Sequence, residues 1–556
     1  MTWGELAPGL TQLRNYRRSW VRGDLLGGVS VAALLIPQVM AYATVAGVPP
    51  VAGLWAAISA AAAYAVLGSS GQLSAGPESS TAVMTAAVLA PMAAGNPGHY
   101  AALAAVLAIL VGALCLLGGI ARLGFLANLL SRPVLVGYMS GIAIVMIASQ
   151  LGKITGVEVV GEQFDAQIRS LVANLHQLHW PTMALAGSVL ALLLGLARWA
   201  PWLPGALIAM LAATALVAGM SLHRHGIGVV GPIPTGLPAP TIPGVRANEL
   251  ALLMLPAAGI AIVAFCDTAI TARSFAVRNR QEVDANADLR ALGVVNAAAG
   301  LLQGFPVSAS ASRTALGDAL GSRTQLFSWV TVACTVLVLL FGRGVLAMFP
   351  TAALGALVVY AGLRLVDIPE FVRLARFRRS ELILALTTSA AVLGMGVLYG
   401  VLAAVGLSIL DLLRRVAHAH DSVLGFVPGL AGMHDVDDYP EARPVPGLLI
   451  YRYDAPLCFA NAEDFRRRAL GAVDATTEPV EWFVLNAEAN VDVDLTALDA
   501  LDQLRVELAR RGTVFAMARV KQDLRDALDA AGLIEKIGQD RIFMTLPTAV
   551  EAFRHR

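Results

Sequence analysis

Long apolar runs fill the chain up to about residue 416, and beyond it charged and apolar residues alternate. A helix that spans a bilayer needs roughly 20 predominantly apolar residues. Twelve such runs predict spanning helices, at 24–44, 50–67, 99–119, 133–151, 180–198, 202–220, 252–272, 286–304, 325–342, 350–365, 380–398 and 399–416. Two further segments, 77–93 and 310–320, are shorter or more polar and begin at clusters of Gly, Pro and Ser. The pattern therefore predicts an α-helical polytopic membrane protein with 14 transmembrane segments.

The tail of the chain has a different pattern. Predicted strands at 447–453, 481–487 and 512–518 alternate with predicted helices at 462–470, 495–511 and 520–532. Such alternation indicates an α/β layer. The chain is therefore expected to comprise a cytoplasmic N-terminal segment (1–23), a transmembrane transporter domain (24–416), a linker (417–445) and a cytoplasmic α/β domain (446–556).

Composition supports the membrane assignment, because 57% of the residues are hydrophobic and only 14% are charged, against about a quarter charged in soluble proteins. The net charge of +1 gives no indication of nucleic-acid binding. The four cysteines lack CxxC spacing, so neither a metal site nor a disulfide framework is expected. No cofactor is expected, and the absence of a nucleophile–base pair or metal-ligand cluster argues against an enzyme. The N-terminus lacks the apolar core of a signal peptide.

Arginine placement predicts the orientation, because loops rich in Lys and Arg stay in the cytoplasm. If residues 1–23 are inside, 14 crossings place the clusters at 273–290 and 364–379 inside, together with Arg414 and Arg415. The loops left outside hold few basic residues, chiefly Lys153, Arg169, Arg224, Arg246 and Arg343. Both termini are therefore expected in the cytoplasm, with the protein in the plasma (inner) membrane. The proline-rich stretch 231–244 is expected to form an extended external cover.

The two short segments occupy corresponding places, third among the first seven segments and third among the second seven. Because seven is odd, the second half enters the membrane from the opposite side. Paired interrupted segments of this kind indicate an inverted-repeat transporter with its binding site between them. The sequence therefore predicts a 7+7 inverted repeat.

An anion site is expected where the two short helices begin. Ser79 in the first segment, and Ser310 and Ser312 in the second, lie at or beside these starts. Each helix N-terminus carries about half a positive charge and binds anions directly. Arg313 adds a full positive charge, which in a membrane would otherwise cost at least a few kcal/mol. The alternative is that Arg313 pairs with an acid to lock two helices together.

Two acids belong to the same region. Glu78 lies at the start of the first short helix, and Asp267 lies in an otherwise apolar span. Burial favours the neutral form of a carboxyl group, so proton coupling is expected, with the anion and the proton crossing together. A sodium ion held by Asp267, Thr268 and Thr271 is the competing interpretation. Glu78 either contributes to coupling or is the salt-bridge partner of Arg313.

The first predicted span adds two polar side chains. Pro37 interrupts the helix, and Gln38 places a polar amide group within an otherwise apolar span. Tyr42 follows one turn later, either lining the same cavity or packing against it.

Four stretches together resemble the sulfate permease (SulP) family of anion transporters: PQVMAYATVAGVPPVAGLWA, LGSSGQLSAGPESSTAVM, QEVDANADLRALGVVNAAAG and GFPVSASASRTAL. The resemblance covers nearly the whole chain. It implies a fold of 14 spans with core and gate domains, elevator-like alternating access and a homodimer. It also implies that the tail is a STAS domain, the fold of anti-sigma-factor antagonists.

The resemblance also implies functional residues. The family's anion site falls on Gln38, Tyr42, Glu78, Ser79, Ser312 and Arg313, and its cation-coupling acid falls on Asp267. Glu78 stands where animal members have an aromatic residue, which favours proton-coupled uptake over exchange. In the tail, Thr496 occupies the position of a phosphorylated serine, but its neighbours Leu495 and Ala497 do not match the D-S-S-G pattern. A scaffold role is expected there.

The leading hypothesis is sulfate uptake by proton symport. The alternatives are a sodium-coupled bicarbonate or dicarboxylate transporter, and an uncoupled anion channel or exchanger.

Overall fold

The computed structural model describes residues 7–14, 16–92, 96–128, 131–159, 164–200, 203–234, 236–241, 243–279 and 283–555. These residues form two compact units, divided between Ser408 and Ile409. The first unit is helical and the second contains a six-stranded sheet.

The helical unit contains two very short strands and a series of helices. They are α1 (Pro8–Arg14), α2 (Val21–Val45), α3 (Pro50–Leu67), β1 (Ala75–Gly76), α4 (Ser79–Leu89), α5 (Pro97–Ile120), α6 (Arg132–Ser149), α7 (Leu151–Thr155), α8 (Phe164–Ala173), α9 (Trp180–Trp199), α10 (Gly205–Gly219), α11 (Ala247–Asn279), α12 (Ala285–Leu301), β2 (Ser308–Ala309), α13 (Ala311–Ala319), α14 (Leu326–Phe341), α15 (Arg343–Ala347), α16 (Thr351–Leu365), α17 (Ile368–Phe377), α18 (Arg379–Met395) and α19 (Val397–Ala417).

Each of the 14 predicted segments coincides with a helix, which confirms the α-helical membrane fold. Within the described residues, seven helices are long and apolar enough to cross a membrane, and α4, α10 and α14 are shorter apolar helices. The span predicted at 252–272 is longer than expected, because α11 has 33 residues. The count of 14 spans and the 7+7 repeat stay predictions.

Two short strands bring the half-helices α4 and α13 together. β1 pairs antiparallel with β2, with Ala75 opposite Ala309 and Gly76 opposite Ser308. The amide of Ser310 then donates a hydrogen bond of 2.9 Å to the carbonyl oxygen of Ser74. Two residues separate β1 from α4 and one residue separates β2 from α13, so the pairing brings the two helix starts close together. The first helix begins two residues later than the sequence suggested, so Pro77 lies outside it.

The proline-rich stretch is not helical where the structure describes it, at 231–234, 236–241 and 243–244. The indole Nε1–H of Trp55 donates a hydrogen bond of 3.2 Å to the carbonyl oxygen of Gly236. The amide of Thr241 donates one of 3.0 Å to the carbonyl oxygen of Leu301. The stretch is thus fastened to α3 and α12, and its external location stays a prediction.

A buried carboxylate fastens the loop after α3. Asp288 of α12 is fully buried, and its Oδ1 accepts hydrogen bonds from the Tyr64 hydroxyl (2.9 Å) and from the Ser69 amide (3.1 Å) and hydroxyl (2.9 Å). Buried donors are costly to leave unpaired. The carboxylate therefore fixes the turn that leads into β1.

We expect Asp288→Ala to destabilise the helical unit by several kcal/mol. It leaves the buried Tyr64 hydroxyl and the two partly buried donors of Ser69 without their acceptor, at about 1–3 kcal/mol for each unsatisfied buried group. The apparent melting temperature of the detergent-solubilised protein measures the effect. Tyr64→Phe is the matched control, because it removes one donor and leaves Asp288 paired with Ser69. Equal melting temperatures for Asp288→Ala and the wild type would contradict this role.

The second unit is an α/β domain with a sheet between two layers of helix. Its elements are β3 (Asp421–Phe426), β4 (Met433–Asp435), β5 (Leu448–Tyr453), α20 (Ala462–Asp474), β6 (Trp482–Asn486), α21 (Leu495–Arg510), β7 (Val514–Ala518), α22 (Gln522–Ala530), α23 (Leu533–Ile537), β8 (Ile542–Phe543) and α24 (Leu546–Arg554). The strand order is β4-β3-β5-β6-β7-β8, with β5 to β8 parallel and β3 antiparallel to both β4 and β5. One sheet face packs on α20 to α23 and the other on α24.

The sheet extends into the segment predicted as a linker. β3 and β4 both lie within 417–445, and β3 pairs with β5 from Asp421 opposite Tyr453 to Leu424 opposite Ile450. The three strands and three helices predicted for the tail are present with shifts of a few residues at their ends, and the sequence missed β3, β4, β8, α23 and α24. The stretch between β3 and β5 is polar and contains proline, so the sequence pattern does not predict that these two strands pair.

We expect a chain ending at residue 420 to aggregate less than a chain ending at residue 433. The longer form keeps β3 without its partner β5, and an unpaired strand offers a template for aggregation. The measurement is the monodisperse fraction in size-exclusion chromatography after detergent extraction, with the full chain as the reference. Equal fractions for the two truncated chains would contradict the pairing.

Candidate anion-binding site

The half-helices α4 and α13 present two N-termini to the same region. They contain 11 and nine residues and start after Glu78 and Ser310. Within the described residues, no side-chain hydrogen bond caps either start. The first amide groups of an α-helix have no partner inside the helix. Two sets of amide donors and two positive dipole ends therefore point to one place.

Arg313 lies in the first turn of α13 and has no exposed surface. Its Nη1 donates a hydrogen bond of 3.3 Å to Oε1 of Gln38, and its Nε donates one of 3.4 Å to the hydroxyl of Ser74. Its Nη2 is buried and has no hydrogen-bond partner in the described part of the chain. A Cβ added at Gly76 would lie 3.3 Å from Nη2, so glycine leaves room for the guanidinium.

Glu78 faces this arginine. Its Oε2 lies 3.7 Å from Nη1 of Arg313, and its Oε1 accepts a hydrogen bond of 3.4 Å from the Ser79 hydroxyl. The separation is long for an ion pair, and the Glu78 side chain is 16% exposed against 0% for Arg313. Both sequence interpretations of Arg313 thus have a geometric basis, because it faces an acid and also keeps a donor unused.

A cavity of about 560 Å³ lies beside the half-helices. Five of the sequence-predicted residues line it: Gln38, Tyr42, Glu78, Ser79 and Ser312. The Gln38 amide donates a hydrogen bond of 2.9 Å to the Tyr42 hydroxyl, which fixes both side chains on one face of α2. The rest of the wall comes from α9, α10, α13 and α16 and from the residues just before α10. Arg364 is an exposed member of this lining, and its end of the cavity is called the open end.

Arg313 and Ser310 lie behind the wall of this cavity. Both are fully buried, and neither is among the residues that line it. The hydroxyls of Ser310 and Ser312 are 3.2 Å apart, so Ser312 connects the buried Ser310 to the cavity. Arg313 therefore acts on the cavity through its charge, with Gln38 and Glu78 between it and the open space.

Asp267 lies on α11 at the other side of α4. Its Oδ2 accepts a hydrogen bond of 2.9 Å from the hydroxyl of Ser80. Thr271 follows one turn later on α11 and is buried, although no hydrogen bond joins it to Asp267 among the described residues. Both acids thus lie at the first turn of α4. Glu78 directly precedes this turn in the chain, and Asp267 is hydrogen-bonded to it through Ser80.

Sequence reasoning missed several residues that hold the site. Ser74 bonds both the Arg313 side chain and the Ser310 amide, and the Ser74 amide in turn donates a hydrogen bond of 3.0 Å to the hydroxyl of Thr314. Asn296 of α12 bonds both the amide (2.9 Å) and the carbonyl oxygen (3.1 Å) of Val307, the residue before β2. The sequence signal for these residues is the presence of Ser, Thr and Asn in an otherwise apolar chain. Their hydrogen-bond partners cannot be identified from it, because those partners lie far away along the sequence.

The fold and the site together define a class of protein, a polytopic membrane transporter with a C-terminal α/β domain. Residues 21–388 match the sulfate permease family, and residues 439–549 match the STAS domain. The chain belongs to the sulfate permease family, which confirms the resemblance of its motifs. This is a family of transporters.

Relatives cover the chain from end to end. The chain is 68% identical over 556 residues to a probable sulfate transporter of Mycobacterium tuberculosis, covering 100% of this chain and 99% of the relative. It is 31% identical to the chloroplastic sulfate transporter 4.1 of Arabidopsis thaliana, covering 98% of this chain and 82% of the relative. The structure of the murine anion transporter Slc26a9 in the inward-facing state superposes with a TM-score of 0.90 at 21% identity, covering 99% and 94% of the two chains. That likeness shows the fold.

Proposed function

We propose that this protein imports sulfate by proton-coupled secondary active transport. The observation that carries the proposal is the buried Arg313 at the junction of two uncapped half-helices, beside a cavity large enough for a small anion. The relative that is 68% identical along the whole chain is named a probable sulfate transporter. A tetrahedral dianion suits a site built from amide groups, hydroxyls and one guanidinium, since each oxygen accepts several hydrogen bonds.

Glu78 sets the condition under which the dianion binds. In the structure it faces Arg313 at 3.7 Å and lines the cavity. An ionised Glu78 repels sulfate and also competes for the arginine. A proton on Glu78, or displacement of its side chain, removes both effects.

Asp267 is proposed as the residue that carries the coupling proton. It has a hydroxyl partner, Ser80, and no cationic side chain of the described residues forms an ion pair with it. A carboxyl group without a cationic partner takes up a proton more readily than one that faces an arginine. Asp267 is tied to the first turn of α4, so its protonation and anion binding act on the same half-helix.

Arg364, an exposed residue of the cavity lining, lies on the side predicted to be cytoplasmic. We therefore infer an inward-facing arrangement. Elevator-like movement of the half-helices α4 and α13 against α9, α10 and α16 would then open the site to the other side of the membrane. We further propose that the protein is a homodimer in the inner membrane, with both termini in the cytoplasm. The STAS domain has a scaffold role in this proposal. Thr496 is exposed at the start of α21, where Asp494 caps the helix.

The experiment is uptake of radiolabelled sulfate into proteoliposomes, driven first by an inward proton gradient and then by an inward sodium gradient. Unlabelled bicarbonate and succinate are the competitors. We expect uptake with the proton gradient that only unlabelled sulfate competes away. Sodium-driven uptake, or displacement by bicarbonate or succinate, would overturn the proposal, as would sulfate-dependent current that does not saturate.

A second candidate is sodium-coupled transport of bicarbonate or a dicarboxylate. Its support is the carboxylate of Asp267, which accepts a hydrogen bond from the Ser80 hydroxyl and lies one helical turn from Thr271. Oxygen ligands of this kind suit a hard cation. The sodium arm of the same experiment decides between the two.

A further inference from the structure

Lys153 lies just past the closed end of the cavity, which the buried side chains of Tyr42 and Leu357 line. It is the only lysine in residues 1–408 and lies on the short helix α7. Its Nζ donates a hydrogen bond of 3.2 Å to the carbonyl oxygen of Thr44, close to the end of α2. Its Cβ lies 3.3 Å from the position of a Cβ at Gly355 of α16. The lysine therefore bridges two helices that also form the cavity wall.

Lys153 contacts both helices just past their last cavity-lining residues. On α2 the cavity is lined by Ser30, Leu34, Gln38 and Tyr42, in order from the open end inward. Thr44 lies two residues after Tyr42, which is about 3 Å further along the helix axis. On α16 the lining runs from Arg364 at the open end back to Leu357, and Gly355 lies two residues, or about 3 Å, beyond it. On both helices the contact with Lys153 therefore lies just beyond the level of the cavity lining.

The charge of Lys153 is not matched by an acid. Within the described residues its hydrogen-bond partner is a neutral carbonyl oxygen, and no carboxylate forms an ion pair with it. An ammonium group has three donors, so others remain for a new partner. The nearby Gln150 is also buried, and its Oε1 has no hydrogen-bond partner in the described part of the chain.

We propose that Lys153 is a transient contact for the transported anion at the far end of the pathway, on the face predicted to be external. This inference rests on the transport function proposed above. When α2 and α16 separate at this end, the Thr44 carbonyl releases the ammonium, and a small oxyanion takes its place. The lysine then attracts the anion before it reaches the half-helices, since a cation in a narrow cleft raises the local anion concentration.

The test compares sulfate uptake by right-side-out and inside-out membrane vesicles that carry the full-length protein. We expect Lys153→Met to raise the apparent KM for sulfate about three- to tenfold in right-side-out vesicles, with kcat and the inside-out KM unchanged. Lys153→Arg should restore the wild-type KM. Arg169→Met is the matched control, because it removes an exposed cation that pairs with Asp165 on the face predicted to be external.

Other outcomes would overturn the inference. An unchanged right-side-out KM, an equal change on both faces, or a change confined to inside-out vesicles means that Lys153 does not receive the anion. If Lys153→Met does not fold, as judged by size-exclusion chromatography, Lys153→Gln replaces it and keeps a polar side chain. Wild-type protein that transports no sulfate would refute the proposed function instead, so the two failures are distinguishable.

Discussion

Arg313→Ala should abolish sulfate binding and uptake. The variant loses the positive charge beside the cavity and leaves Glu78 without its counter-charge. An interaction with a buried charge contributes about 1.5–3 kcal/mol, so the loss of this one charge weakens binding by about ten- to 150-fold. Titration of the purified protein with sulfate and uptake into proteoliposomes measure the two effects.

Two controls separate binding from folding. Removing one partner of a buried ion pair is by itself destabilising, by about 3–5 kcal/mol. Arg313→Ala combined with Glu78→Gln removes both charges, so it should fold normally and still not bind sulfate. Arg364→Ala removes a cation at the mouth of the same cavity, where the guanidinium is exposed and bonds the hydroxyl of Tyr360, and should retain most binding. Normal sulfate uptake by Arg313→Ala would refute the assignment of the site.

Asp267→Asn should abolish the coupling of transport to the proton gradient. The amide keeps the size of the side chain and can still accept the hydrogen bond from Ser80, but it cannot take up a proton. An imposed pH gradient should therefore no longer concentrate sulfate in proteoliposomes. Exchange of labelled for unlabelled sulfate at equal concentrations should persist, because it needs no net proton movement.

Glu78→Gln is the comparison for this prediction. It removes the acid that faces Arg313 and leaves Asp267 in place. We expect this variant to bind sulfate at least as tightly as the wild type, because no carboxylate then repels the anion, and to keep some response to the proton gradient. If Asp267→Asn still concentrates sulfate while Glu78→Gln does not, then Glu78 is the residue that carries the proton. Asp267→Glu should keep the coupling, because it keeps a carboxyl group.

Much of the candidate site could be predicted from the sequence because its residues lie in two short segments. The half-helices are marked by Gly, Pro and Ser clusters inside a membrane domain, and Arg313 is the only charged residue in 304–316. Gln38 and Tyr42 are one helical turn apart, so their common face follows from local geometry. Five of the predicted residues line one cavity.

Other parts of the site could not be read from the sequence. Gln38 meets Arg313 across 275 positions, and Ser80 meets Asp267 across 187. Such contacts depend on how the helices rotate and slide against each other. The same limit applies to β3, because the sequence pattern predicts a linker for the polar stretch that separates it from its partner β5.

The sequence by itself determined the membrane class, the position of the 14 predicted apolar segments and the chemistry available at the two half-helices. The length of an apolar segment, its charge and its helix-start signals are local properties, so they can be recognised in the sequence alone. Only the tertiary structure decided which acid faces Arg313, that Arg313 lies behind the cavity wall, and that Lys153 meets Thr44 at the closed end. These pairings are set by packing between distant helices, because a side chain's partner is fixed by the register of two surfaces.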